Sequence, residues 1–157
     1  MCRLRGRAPC GERVHASAPC GHWHTTTMIS SIRLDGSTAC MAIDSATDNE
    51  VFQTYVREVL CPTLRPGDVV IMDNLSPHKN EDTLALIAAV GAEVRFLPAY
   101  SPDLNPIEKM CSKVKALLRG AQARTQETLI AAIAAALGKI TPQDAINWFA
   151  SCGYSFI

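Results

Sequence analysis

Asp73 and Glu108, with 34 residues between them, are the side chains in this sequence whose type and surroundings point most directly to chemistry. Asp73 closes the apolar run Val69, Val70, Ile71 and Met72, which has the length and β-branched content of a fully buried central strand. Its carboxylate should therefore emerge at the carboxyl end of that strand, the edge of an open α/β sheet where ligands bind. Glu108 follows a second run, Val94, Phe96 and Leu97, and a Pro-rich turn whose Pro106 suits the first turn of a helix. Two acidic groups at one sheet rim repel unless a cation or a proton lies between them, and an all-oxygen donor set suits Mg²⁺ or Mn²⁺. The chemistry this predicts is metal-assisted phosphoryl transfer.

The segments MDNLSPHK, from Met72, and LPAYSPDLNPIEKMCSKVK, from Leu97, resemble the catalytic core of the DDE transposases of the mariner-related superfamily, in its bacterial insertion-sequence branch. The interval between Asp73 and Glu108 matches the spacing of that superfamily's second and third acidic residues, and the likeness runs from Arg3–Pro9 to Cys152–Tyr154. The resemblance implies an α/β fold, an RNase H-like mixed sheet flanked by helices, with three carboxylates holding two divalent ions, Mg²⁺ or Mn²⁺. Its implied partners are the DNA of transposon ends and target. In relatives the first Asp lies on an opening strand ahead of the RLRGRAP-like stretch, whereas here Met1-Cys2 directly precede it. Asp35 sits in the turn LDGS and Asp44 ends a different strand, so neither replaces it. The expectation is a 5′-truncated domain that lacks its first strand and does not cut DNA as it stands.

At 157 residues and 48% hydrophobic, the chain suits one domain, 1–157, with a real core. A net charge of zero and a pI near 6.9 provide no global basic field, so DNA contact must rest on local patches. No apolar run reaches membrane-spanning length and no signal peptide follows the basic start, which predicts a cytoplasmic protein without a membrane partner. Seven scattered cysteines fit reduced thiols. Cys10, Cys20, His22 and His24 lack the paired short spacing of a zinc site and read more simply as loop and strand-start residues.

In chain order, Arg3, Arg5, Arg7 and Arg13 among Gly and Pro read as an irregular basic segment, either solvated or touching a DNA backbone. Trp23–Leu34 and Thr38–Ile43 predict an antiparallel hairpin about Asp35-Gly36. Thr47 to Glu50 reads as a capping box for a helix with Phe52, Tyr55, Val56 and Leu60 on its core face. Asp68 reads as a surface charge. Asn80 should cap a helix ending at Gly91, which leaves His78 and Lys79 in a loop over the site. His78 either contacts a phosphate or a metal-bound water there, as the resemblance implies, or packs locally. On the helix after Pro106, Ser112, Lys115 and Arg119 fall within about 40° of Glu108, forming a stripe that either tracks phosphates or is an ordinary solvated face. Thr125–Leu137 and a helix opened by Thr141-Pro142 complete the chain, with Ile146, Trp148 and Phe149 expected in the core.

Three functions compete. The first is a transposase catalytic domain for divalent-metal-dependent strand cleavage and transfer. The second is an inactive remnant that binds DNA weakly or oligomerises, as a homo-oligomer or with full-length transposase. The third, a nuclease or resolvase of related fold, shares the chemistry but lacks SPDLNPIE. No helix-turn-helix reading unit is legible.

Overall fold

The protein is described by a computed structural model covering residues 6–15 and 25–155. Strands β1 (Thr27–Ile32) and β2 (Thr38–Ile43) form the expected hairpin, with Thr27 opposite Ile43 and Ile32 opposite Thr38. Its turn is held by Asp35, whose carboxylate accepts from the Ser37 amide at 2.8 Å and the Ser37 hydroxyl at 2.6 Å. Gly36 has φ +84°, and a Cβ there would meet the backbone of Thr141 and Pro142 at 3.0 Å, so only glycine lets this turn abut the last helix.

Helix α1 (Asn49–Tyr55) is capped by Asp48, whose side chain accepts from the Val51 amide at 2.8 Å. The cap is thus one residue later than the predicted Thr47, because a carboxylate at Asp48 reaches that amide directly. The helix then widens into a π-helical turn at Val56–Leu60 and tightens into a 3₁₀ turn at Cys61–Thr63, which accommodates Pro62 in its first turn. Strand β3 (Val69–Met72) pairs in parallel with β4 (Glu93–Phe96), and the crossover between them carries α2 (Glu81–Ala89), capped by Asn80 as predicted. Helices α3 (Pro106–Ala121), α4 (Gln126–Leu137) and α5 (Pro142–Ser151) follow, capped by Asn105, Thr125 and Thr141.

Two cores result, and the hairpin is the layer between them. On one side Phe52, Tyr55, Val56, Leu60, Met72 and Ile87 are buried, with Ile29 and Met41 packed against them. On the other, Met110, Val114, Leu118, Ile133 and Ala136 are buried, with Met28, Ile32, Cys40 and Ala42 against them. Alternation along each strand sends successive side chains into opposite cores. Ile146 is 40% exposed, contrary to expectation, whereas Trp148 does pack on the second core. Helix α5 faces α3 with only one side, and Ile146 lies off that side.

The strands do not form one continuous sheet among the described residues. They form two pairs, β1-β2 and β3-β4, and the span Thr27–Leu34 and the span Val69–Asp73 line a common groove of about 530 Å³. Strand β3 is consequently not the fully buried strand its composition suggests, since Val69 is 47% exposed and only Met72 is buried. The groove is closed at one end by Arg33, just past β1, which donates to both oxygens of Asp68, just before β3, at 2.7 and 2.9 Å. That pairing places the end of β1 beside the start of β3, so the two strands run in opposite directions. Asp68 also accepts from the Arg65 amide at 2.8 Å, and is a structural clamp rather than the surface charge expected.

Candidate active site

At the other end of the groove the chain leaves β3 at Asp73 and enters α3 beside Glu108. The β3-β4 ladder continues past the last strand residue, with the Leu97 amide donating to the Met72 carbonyl at 2.8 Å. The loops after β3 and β4 therefore depart side by side at the same sheet end. Pro98 to Pro102 then turns the chain back, the Asn105 side chain accepts from the Ile107 amide at 3.3 Å, and Pro106 opens α3. Met110, Val114 and Leu118 bury that helix, and Lys113 ties its flank to Asp144 at 2.6 Å. Tyr154 donates its hydroxyl to the Leu104 carbonyl at 3.0 Å, pinning the turn ahead of Glu108.

Asp73 and Glu108 line one cavity of about 340 Å³, together with Asn74, Leu75, Tyr100 and Asn105. Glu108 is exposed, whereas the Oδ1 atom of Asp73 is shielded from solvent by the His78 ring, its contact within the fold. The neighbouring His78 ring stacks 4.3 Å from Phe52. Its Nδ1 touches Asp73 Oδ1 but is aimed toward the Asp73 backbone oxygen, at 3.4 Å. Hard carboxylate oxygens on Asp73 and Glu108, facing one cavity, fit part of the shell of a divalent cation. No group of three or more His, Cys, Asp or Glu able to hold a metal occurs among the described residues, so this fit rests on two carboxylates.

The structure thus brings together Asp73, Glu108 and His78. Lys79 is exposed next to His78, and Ser112, Lys115 and Arg119 are exposed along α3. Arg7 is exposed in the basic segment, whereas Arg5 lies outside the described residues, as do Cys20, His22 and His24. Cys10, Cys40, Cys61, Cys111 and Cys152 are free thiols, and burial pushes the Cys40, Cys61 and Cys111 thiols up. Sequence reasoning assigned Phe52 only to the core, and missed Asn74, Asn105 and Tyr100 as cavity residues. Their signal was available in the two loops that follow the strand ends.

Residues 1–130 match the DDE superfamily endonucleases. The chain belongs to that family. Membership implies a DNA substrate and transposase-like nuclease chemistry, for which endonucleases of this superfamily generally use divalent metals. The architecture of helices with small sheets is compatible with that assignment. Comparison with the curated proteins finds no match. No single helix among the described residues is long and apolar enough to cross a membrane.

Proposed function

We propose that this endonuclease-family chain is the catalytic domain of a mariner-related transposase of the bacterial insertion-sequence branch, with Asp73 and Glu108 as its metal-holding carboxylates. The observation that carries the reading is that Asp73 and Glu108, leaving two neighbouring element ends, line one cavity. Mg²⁺ or Mn²⁺ bound there would supply Lewis-acid stabilisation of a reacting phosphodiester. Phe52 and His78 hold the Asp73 carboxylate in place by ring stacking and direct contact. Lys79, Ser112, Lys115, Arg119 and the basic segment with Arg5 and Arg7 are the groups assigned to the DNA backbone, where positive charge contributes affinity without sequence readout.

The groove between β1 and β3 supports an RNase H-like sheet that is one strand short. The outer strand β4 carries Glu93 and Arg95, the kind of charged pair that discourages further pairing, whereas β1 and β3 carry no charge. A strand inserted between them would run parallel to one and antiparallel to the other, and one of its ends would lie beside Asp73 and Glu108. Two-metal phosphoryl transfer needs both ions fixed in line, and two carboxylates give less than that geometry requires. In this reading the chain alone does not cut DNA. The alternative, an inactive remnant that binds DNA weakly or oligomerises with active transposase, draws on the same pair of carboxylates.

The test adds a β-strand ending in one Asp to the N-terminus and compares Mn²⁺-dependent nicking of supercoiled DNA with the chain as it stands. Nicking gained by the extended protein and abolished by Glu108→Gln supports the transposase reading. Robust nicking by the unextended chain overturns the one-strand-short assignment, and no nicking by either favours the remnant.

A further inference from the structure

The loop Leu97–Pro102, which forms one wall of the carboxylate cavity, displays a residue that the fold does not use. Tyr100 is fully exposed, and none of the described residues covers its ring. Its backbone has φ +57°, in the left-handed region that suits glycine or asparagine rather than a bulky aromatic. Gln122 at the end of α3 is the other non-glycine residue with positive φ among the described residues, and there the conformation serves as a helix cap. Tyr100 caps nothing. A strained conformation that costs stability and projects an aromatic ring into water points to a use outside the fold.

Leu75 supplies the second observation. It is 56% exposed, lines the same cavity and belongs to the segment leaving β3, whereas Tyr100 belongs to the segment leaving β4. The two strands are parallel neighbours, so these segments leave one sheet end side by side. An aromatic and a branched aliphatic residue, one from each segment, therefore line a cavity whose polar members include Asp73, Asn74, Ser101, Asn105 and Glu108. Enzymes that act on nucleic acid hold an unstacked base between aromatic and apolar side chains in this manner, and one aromatic face accepts any of the four bases.

We infer that Tyr100 and Leu75 form a base slot, in which the Tyr100 ring stacks on an unpaired nucleobase next to the phosphodiester held at Asp73 and Glu108. This rests on the proposed action on DNA and adds the state of that DNA, a locally unpaired strand. The ring would then favour splayed or frayed DNA over intact duplex and show no base preference. Asn74 and Asn105 lie within the same cavity and offer amide groups to the base edge or the sugar.

The experiment uses the 157-residue chain, Ca²⁺ to allow binding without cutting, and an oligonucleotide duplex with a splayed end carrying 2-aminopurine. Expected is quenching of the 2-aminopurine by the wild-type protein and by Tyr100→Trp. In Tyr100→Asn, which keeps a residue suited to positive φ, quenching disappears and affinity for the splayed end falls by about tenfold, while fully paired duplex binds as before. Leu75→Ser should lower the same preference by a smaller factor. If wild type binds paired duplex and splayed end equally and Tyr100→Asn changes neither, the slot is overturned while DNA binding stands. If wild type binds neither, the slot and the DNA reading both fall. If Tyr100→Asn instead converts a dimer to a monomer in sedimentation without altering quenching, the ring belongs to a protein interface and the slot is again overturned.

Discussion

Asp68 and Asp73 stand at opposite ends of the same four-residue strand and have opposite surroundings. Asp68 accepts two hydrogen bonds from the Arg33 guanidinium and one from the Arg65 amide. Asp73 has one shielded oxygen, whose contact within the fold is the His78 ring. One carboxylate is held by a guanidinium fork and an amide and closes the groove. The other meets a single imidazole and faces the cavity at the groove's open end. Position at a strand end does not distinguish a structural acid from a chemical one. The difference lies in how many donors the protein itself provides, and of what charge.

The largest effect expected from breaking this contrast is on stability. Asp68→Ala leaves Arg33 without its fork partner and should cost about 1.5–3 kcal/mol, as for hydrogen bonds to charged groups. Asp73→Asn should cost less than Asp68→Ala, because the contact at stake is with one imidazole and an amide oxygen can still accept from it. Urea unfolding of both variants measures this. A loss in Asp73→Asn equal to that of Asp68→Ala would assign Asp73 to the scaffold.

A second consequence concerns acid. The Arg33 guanidinium, followed by the Arg65 amide, holds the Asp68 carboxyl down to about 2, and Lys113 with the Thr141 cap holds Asp144 at about 2. Both folded values lie below the ordinary 3.8, so the stability these groups contribute is complete above that pH and is lost as pH falls from about 4 toward 2. Asp68→Asn should flatten part of this acid limb in thermal melts between pH 5 and 2. An unchanged limb would mean that the clamp contributes nothing in solution.

The smallest predicted effect lies on the Glu108 side. Tyr154→Phe deletes the bond to the Leu104 carbonyl and should cost about 0.5–1.5 kcal/mol. Hydrogen exchange at residues 102–108 should accelerate while α4 stays unchanged. Faster exchange throughout the protein would instead make Tyr154 part of the general core.

Much of this organisation was legible in the sequence because it is local. Asn80 and Thr141 each announce a helix start through a side chain that reaches an amide two or three residues on, and each does so in the structure, as Asn105 and Thr125 also do. The hairpin about Asp35-Gly36 and the exit of Asp73 from β3 were legible for the same reason. What escaped depends on distant neighbours. Val69 to Met72 has the composition of a buried strand, but burial requires pairing on both edges, and among the described residues β3 has it on one. The role of Asp68 requires Arg33, 35 residues away. The left-handed backbone of Tyr100 has no residue-type signal, since a tyrosine there runs against local preference. Within the site, the two carboxylates were readable from their element ends, whereas the contact of His78 with Asp73 and its stacking on Phe52 needed the fold.

The tie between Lys113 and Asp144 also bears on where this protein can be cut. The match to the family covers residues 1–130, a boundary inside α4 (Gln126–Leu137), while Asp144 and Tyr154 lie beyond it. A fragment trimmed to that boundary would sever a helix and remove Ile133 and Ala136 from the second core. It would also free the flank of the helix that bears Glu108, so an activity assay on such a fragment would report a loosened Glu108 rather than the competence of the two carboxylates.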